Sequence, residues 1–235
     1  MHGLDQIKSV KKNTAAHTVP KMKQLVVGIS GSPVQNSNTD RLVQKVLQHT
    51  GLENVFFKLS DNTIQPCRAC LGCVRDNECK VRDDFQKLAA QIKVAGALVV
   101  GGYPPYGSLD AFTKAFLERM FSLRHCKGLN RGKLAVTVIT GNGRGTPGVD
   151  IASTQLQTAL THEGMEVIGQ LKATGNVKCV SCGQLTTCPM SALSRIFNNN
   201  PESAPTDYCR VENQVETWQK AQDLGEEIGR RLLRQ

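Results

Sequence analysis

Residues 25–39 have the sequence LVVGISGSPVQNSNT. The apolar run from Leu25 to Ser30 predicts a buried strand, and the polar, glycine-bearing segment after it predicts a turn. From Thr39 to His49 the apolar residues recur at helical spacing. A strand that passes through a polar turn into a helix predicts the opening of a βαβ unit.

The alternation of strand and helix continues to residue 171. Further strands are predicted at 55–59, 97–101, 134–140 and 165–171, and further helices at 83–95, 108–123 and 151–162. Such an alternation indicates βαβ units and a parallel sheet. We therefore expect an α/β fold with a doubly wound, five-stranded parallel sheet in the flavodoxin-like order 2-1-3-4-5.

Three regions are expected along the chain. They are a basic tail at 1–23, a flavodoxin-like domain at 24–173 with a cysteine-rich loop at 60–82, and a cysteine-bearing extension at 174–235. The extension is loop-like to residue 210, and an apolar stripe from 211 to 233 predicts an amphipathic C-terminal helix.

The chain has a formal net charge of +9, and much of it lies in the tail. A solvated, poorly ordered tail is the favoured interpretation, and an anion-binding or nucleic-acid arm is the alternative. Only 5 % of the residues are aromatic. With few stacking groups and no recognised nucleic-acid motif, no nucleic-acid partner is expected.

The sequence gives no sign of export or membrane insertion. No apolar stretch reaches the roughly 18–20 residues that span a bilayer. The N-terminus also lacks the apolar core of a secretory signal. We expect a cytoplasmic protein with no membrane partner, and a transit peptide in the acid-poor tail is a lesser alternative.

Three loops, at 30–38, 103–108 and 140–148, are expected at the carboxyl edge of the sheet, where open α/β folds bind ligands. The first carries hydroxyl groups at a helix N-terminus, which suits a phosphate without needing a cation. We expect it to bind a phosphate through Ser30, Ser32, Pro33, Ser37, Asn38 and Thr39. The chain has neither a dinucleotide fingerprint nor a Walker motif. The alternative interpretation is that these are ordinary turn and capping residues.

The first loop resembles the FMN phosphate loop of flavodoxin-like reductases, and the resemblance covers about residues 24–170. It implies that FMN is the cofactor. The loop that flanks the flavin ring would consist of Tyr103, Pro104, Pro105, Tyr106, Gly107 and Ser108. The loop at the pyrimidine edge of the ring would consist of Thr140, Gly141, Asn142 and Gly143. Val34 stands where NADPH-dependent FMN reductases often have an arginine, so neutral donors would have to hold the phosphate.

Seven of the nine cysteines fall in two short groups. In a reducing compartment, such clustering indicates metal or redox chemistry rather than disulfides. The first group, Cys67, Cys70, Cys73 and Cys79, has the compact spacing of ferredoxin-like [4Fe–4S] sites. Zinc sites more often use two separated cysteine pairs. A cluster is the favoured interpretation, and zinc and redox-active free thiols remain alternatives.

A cysteine loop after the second strand resembles that of the iron–sulfur flavoproteins of anaerobic microbes. The resemblance implies that a cluster exchanges electrons with FMN and that the protein is a homo-oligomer, here a homodimer or homotetramer. A second group could form another metal site, with scattered structural thiols as the alternative. Its members are Cys179, Cys182 and Cys188, with Cys209 further along the chain.

These patterns predict a redox protein that transfers electrons between a one-electron carrier and a flavin. The partner would be a small molecule or a ferredoxin-type protein, and NAD(P)H is a candidate donor. Two other functions remain open: an NAD(P)H-dependent FMN or quinone reductase without a cluster, and a non-enzymatic metal or redox sensor. No particular catalytic side chain is indicated.

Overall fold

The computed structural model describes residues 23–142, 147–184, 187–192 and 209–234. The strands are β1 (Lys23–Ser30), β2 (Glu53–Lys58), β3 (Ala95–Gly102), β4 (Leu134–Gly141) and β5 (Glu166–Thr174). The helices are α1 (Asn38–Gln48), α2 (Phe85–Val94), α3 (Ala111–Arg124), α4 (Pro147–His162) and α5 (Val215–Leu232). The predicted basic tail lies outside the described residues except for Lys23, as does Gly143 of the third loop.

The five strands form one parallel sheet in the order β2-β1-β3-β4-β5. This confirms the predicted flavodoxin-like order. The central strand β3 is buried along its whole length, as its continuous apolar sequence requires for a sheet covered on both faces. Because all strands run in parallel, their carboxyl ends meet at one edge of the sheet.

Helices cover both faces of the sheet. One core cluster joins the sheet to α2, α3 and α4 through side chains such as Phe85, Phe116 and Leu156. The other joins it to α1 and α5, with Val43 and Ile228 among its members. No helix within the described residues is long and apolar enough to cross a bilayer.

Helix α5 approaches α1 so closely that only glycine fits at two positions. A Cβ at Gly225 would overlap the carbonyl oxygen of Val46, and a Cβ at Gly229 would overlap that of Thr50. The C-terminal helix of the cysteine-bearing extension therefore packs as part of the α/β fold.

Three helices begin later than the sequence pattern predicts, and the third, α5, begins at Val215 instead of at 211. Helix α3 begins after Asp110, whose carboxylate accepts the N–H of Thr113 at 2.8 Å, rather than after Ser108. Helix α2 begins at Phe85, and the carboxylate of Asp83 before it binds both Arg119 and the N–H of Phe85. Phe112 of α3 and Val215 of α5 are apolar but exposed.

Candidate functional site

The three predicted ligand loops meet at the carboxyl edge of the sheet. The N–H of Gly31, after β1, donates to the carbonyl of Gly101 in β3 at 2.9 Å. The hydroxyls of Thr39 and Thr140 lie 2.6 Å apart, which joins the first loop to the third. These contacts place the first and third loops side by side over β1, β3 and β4.

The first loop is anchored from below by a buried ion pair. The Lys58 ammonium lies 2.6 Å from the Asp40 carboxylate and donates to the carbonyl of Val34 at 2.8 Å. The same carboxylate accepts the hydroxyl of Ser30 at 2.6 Å and the N–H of Ser37 at 3.1 Å. The lysine therefore sets the path of the loop backbone, although it belongs to none of the sequence motifs.

Several predicted phosphate-binding side chains already have protein partners. The hydroxyl of Ser37 caps α1 by accepting the N–H of Asp40. The amide of Asn38 donates to the carbonyl of Cys209 at 2.6 Å and accepts the N–H of Val211 at 3.1 Å. Asn38 thus ties the extension to the phosphate loop. The hydroxyl of Ser32 accepts the N–H of Val34 at 3.3 Å, and Pro33 is exposed.

The second loop is held by the buried carboxylate of Asp110. That carboxylate accepts the N–H of Tyr103 at 3.2 Å and the hydroxyl of Thr113 at 2.9 Å. Tyr106 is fully exposed and has a left-handed backbone (φ 51°). Pro104 packs beside Gly141 of the third loop, where a Cβ would lie 3.0 Å from Cγ of the proline ring. The second loop is thus a turn held by Asp110, and the aromatic ring of Tyr106 is exposed to solvent.

The four cysteines of the first group line one small cavity, which we call the cysteine cavity. Cys67 and Cys70 are exposed, Cys73 is buried and Cys79 is half-buried, and all four are free thiols. Burial raises the pKa of Cys73, and the nearby Cys79, Cys70 and Cys67 raise it further. The loop therefore brings together the four residues that the spacing singled out.

The cysteine loop is fixed to α3 rather than held over the sheet edge. The amide of Asn77 donates to the carbonyls of Ser122 and His125, at 3.2 and 2.5 Å. Arg119 also faces the cysteine cavity, eight residues into α3. At 1.5 Å per residue this is about 12 Å along the helix from the end that adjoins the second loop. The loop leaves the sheet at the carboxyl edge, but its cysteines lie some way down the α3 face.

The chemistry of the donor set fits an iron–sulfur cluster. Each iron of a cubane takes one cysteine, so the four ligands stand around the cluster. A mononuclear site would need ligands drawn to a single point at about 2.3 Å from the metal. Within the described residues, no group of three or more histidine, cysteine, aspartate or glutamate side chains is arranged to hold a metal ion. Four thiols around a common cavity are a donor set that fits an iron–sulfur cluster.

The second group lies in the extension, beyond β5. The N–H of Ala192 donates to the sulfur of Cys179 at 3.4 Å, and that of Gln184 to the sulfur of Cys182 at 3.5 Å. These two cysteines and Cys188 are free thiols. The second metal site stays a prediction.

Comparison with known proteins relates this geometry to flavin enzymes. Residues 24–177 match the NADPH-dependent FMN reductase family. An iron–sulfur flavoprotein of Methanocaldococcus jannaschii is 30 % identical over 147 residues, which cover 61 % of this chain and 75 % of that protein. An iron–sulfur flavoprotein of Archaeoglobus fulgidus is 31 % identical over 137 residues, covering 57 % and 70 %.

A solved structure shares the fold. It is that of RosB with a bound 8-demethyl-8-formylriboflavin-5′-phosphate intermediate, which aligns with a TM-score of 0.61. The alignment covers 90 % of this chain and 81 % of RosB, at 13 % sequence identity. At that identity the likeness establishes the fold alone.

Proposed function

Because the chain belongs to the NADPH-dependent FMN reductase family and is a flavin-dependent oxidoreductase, we propose that it carries one [4Fe–4S] cluster beside its FMN. It would transfer electrons between a one-electron carrier and the flavin. The observation that carries this proposal is the cysteine cavity, where four thiols from 13 consecutive residues surround one space.

The backbone of the cysteine loop supports the same proposal. Ala69 and Leu71, the two neighbours of Cys70, both adopt left-handed backbone angles, with φ 49° and 56°. Each costs a non-glycine residue about 1 kcal/mol or more. Strain of this kind persists where the surrounding structure imposes it, and it concentrates at functional sites. The loop is therefore shaped to present cysteines at a cost in stability.

In the proposed flavin site, the loop at 30–39 holds the FMN phosphate. Ser32 and Thr39 would donate hydroxyl groups, and the N-terminus of α1 would donate backbone N–H groups, a combination that suits an anion. Lys58 does not reach the ligand in this proposal but fixes the carbonyl of Val34 and the Asp40 carboxylate. Tyr103 and Tyr106 would flank the flavin ring, with Thr140 to Asn142 at its edge.

A flavin exchanges one or two electrons and a cluster one at a time, so the pair interconverts two-electron and one-electron carriers when both are bound. The protein's part is to hold the two groups at fixed positions on α3 and the sheet edge. NAD(P)H and a ferredoxin-type protein are the proposed electron partners. An FMN reductase without a cluster is the second candidate function, favoured by the family match alone.

We also propose that the protein is a homodimer or homotetramer. Leu71 and Phe121 line the cysteine cavity and are both exposed, so the cavity has an apolar rim. A second copy that covers this rim would shield the cluster from solvent. Light scattering should give a mass at least twice the monomer mass of 25.6 kDa, and a monomer at micromolar concentration would contradict the assembly.

The cluster ligands can be tested one at a time. Replacing Cys67, Cys70, Cys73 or Cys79 by serine should lower iron content and cluster absorbance while leaving FMN bound. Cys126→Ser and Cys182→Ser are the matched controls, because neither residue lines the cysteine cavity. Full iron content in all four loop variants would contradict the proposed ligands.

A further inference from the structure

Arg119 is the most completely buried charged residue of the cysteine region. Its side chain is 0 % exposed, and its guanidinium carbon lies 4.6 Å from the centre of the Phe85 ring. Two of its nitrogens form a forked pair with the Asp83 carboxylate, at 2.6 and 3.0 Å. A buried guanidinium of this kind needs partners for all its N–H groups.

The remaining N–H groups of Arg119 point to the cysteine loop. One nitrogen donates to the carbonyl of Gln65 at 2.9 Å and another to the carbonyl of Val81 at 3.1 Å. These carbonyls stand two residues before Cys67 and two residues after Cys79, so Arg119 clamps both ends of the loop. Its last donor, Nε–H, points to the sulfur of Cys79 at 3.2 Å.

Asp83 neutralises the guanidinium charge and is itself held firmly. Its burial acts to raise its pKa, but hydrogen bonds from Arg119 and from the N–H groups of Gln65 and Phe85 outweigh burial and lower it. The pair therefore acts on Cys79 mainly through one directed N–H···S hydrogen bond, and less through net charge.

From this geometry we infer that Arg119 is a positioning residue that sets the reduction potential of the cluster through its Nε–H···Sγ hydrogen bond to Cys79. The inference rests on the proposed cluster. Hydrogen bonds to the sulfurs are among the factors that tune cluster potentials. An N–H donor stabilises the more negative, reduced cluster more than the oxidised one, so Arg119 raises the potential. Cys79 is the only one of the four cysteines whose sulfur accepts a side-chain N–H within the described residues.

The test compares the cluster potential of reconstituted wild-type protein with that of Arg119→Lys. Lysine keeps the positive charge but lacks the forked geometry and the Nε–H donor. We expect the equilibrium for cluster reduction to become roughly tenfold less favourable, which is about 59 mV for one electron. Reductive titration followed by EPR measures this, and the flavin potential should not change by a comparable amount.

Arg68→Lys is the matched control. Arg68 also lines the cysteine cavity, but it is exposed and donates to the side chain of Gln65 at 2.5 Å rather than to a cysteine. Its replacement should leave the cluster potential unchanged. Asp83→Asn should shift the potential upward, since it removes the negative charge that offsets Arg119. If Arg119 and Asp83 had a purely structural role, Arg119→Lys and Asp83→Asn would both lower cluster content. They would not shift the cluster potential in opposite directions.

A second measurement does not depend on whether the buried variants fold. Arginine labelled with ¹⁵N at Nε is incorporated into the Arg68→Lys protein, and pulsed EPR of the reduced cluster should detect coupling to one arginine nitrogen. Absence of that coupling, or a wild-type potential in a folded Arg119→Lys protein, would overturn the inference. A protein that binds FMN but takes up no iron would instead contradict the proposed cluster.

Discussion

Lys58 shows how one buried cation shapes the proposed phosphate loop. It does so without contacting a ligand, by binding the Asp40 carboxylate and the carbonyl of Val34 at the same time. A loop held in this way can offer neutral donors to a phosphate without an arginine at position 34. The phosphate loop can therefore keep a fixed backbone although position 34 is a valine and not an arginine.

Replacing Lys58 by methionine should destabilise the protein by about 3–5 kcal/mol, since it leaves the Asp40 carboxylate buried without its cation. FMN affinity should fall as well, because the loop loses its anchor. Urea unfolding and a flavin fluorescence titration measure the two effects. Lys114→Met, whose side chain is 63 % exposed on α3, is the control. A loss below about 1 kcal/mol would show that the pair is not a stabilising anchor.

Asp110 gives the second loop a pH dependence. Burial raises its pKa to about 6, against roughly 3.9 in an unfolded chain. The folded state therefore holds this proton more tightly. The stability that Asp110 contributes is complete below about pH 4 and is lost as the pH rises through 6.

The difference in unfolding free energy between the wild-type protein and Asp110→Asn isolates this effect, because the contributions of the other titrating groups cancel. The wild-type advantage in unfolding free energy should fall by up to about 3 kcal/mol between pH 4 and pH 7. Urea unfolding at a series of pH values gives the difference. A difference that stays constant over this range would mean that Asp110 titrates normally.

At the scale of elements, the close contact between α1 and α5 predicts whether a Gly→Ala substitution stabilises or destabilises the protein. In an exposed helix, Gly→Ala stabilises by about 1 kcal/mol. Gly229→Ala should instead destabilise by about 1–3 kcal/mol, because its Cβ would overlap the carbonyl of Thr50 and force the helices apart. Gln219→Ala, on the exposed face of α5, is the control. A more stable Gly229→Ala protein in urea unfolding would refute this close packing.

The order of the elements could be predicted from the sequence because it depends on local pattern. The apolar strands and the alternation with helices were enough to give the sheet order. Helix starts were harder, because they depend on contacts distant in sequence. Asp83 accepts the N–H of Phe85 at the start of α2, and it also binds Arg119, 36 residues away. Asp110 outcompetes Ser108 as a cap because its carboxylate also holds Tyr103.

The candidate site could be predicted only where it depends on residues close together in the sequence. The cysteine spacing brought four ligands to one cavity because it is a local signal. Arg119 lies within the helix predicted at 108–123, and its charge at a core-facing position was the available sign of a buried pair. The role of Asn38 in binding Cys209 could not be foreseen, because that contact spans 171 residues.

At the scale of the whole molecule, the fold carries two proposed cofactor sites along α3. The second loop adjoins the start of this helix, and the cysteine cavity lies about 12 Å further along it. The extension returns to the phosphate loop through Asn38 and to α1 through α5. Binding of FMN and the position of the extension are therefore expected to be coupled.

The central claim is that one chain holds both FMN and a [4Fe–4S] cluster. The most direct test is to purify the full chain anaerobically, reconstitute it with iron and sulfide, and quantify iron, acid-labile sulfide and extracted flavin. We predict about four irons and four sulfides per chain together with one FMN. Stoichiometric FMN without retained iron or sulfide would contradict the claim and leave an FMN reductase without a cluster as the function. Recovery of FAD instead of FMN would contradict the single-phosphate loop at 30–39.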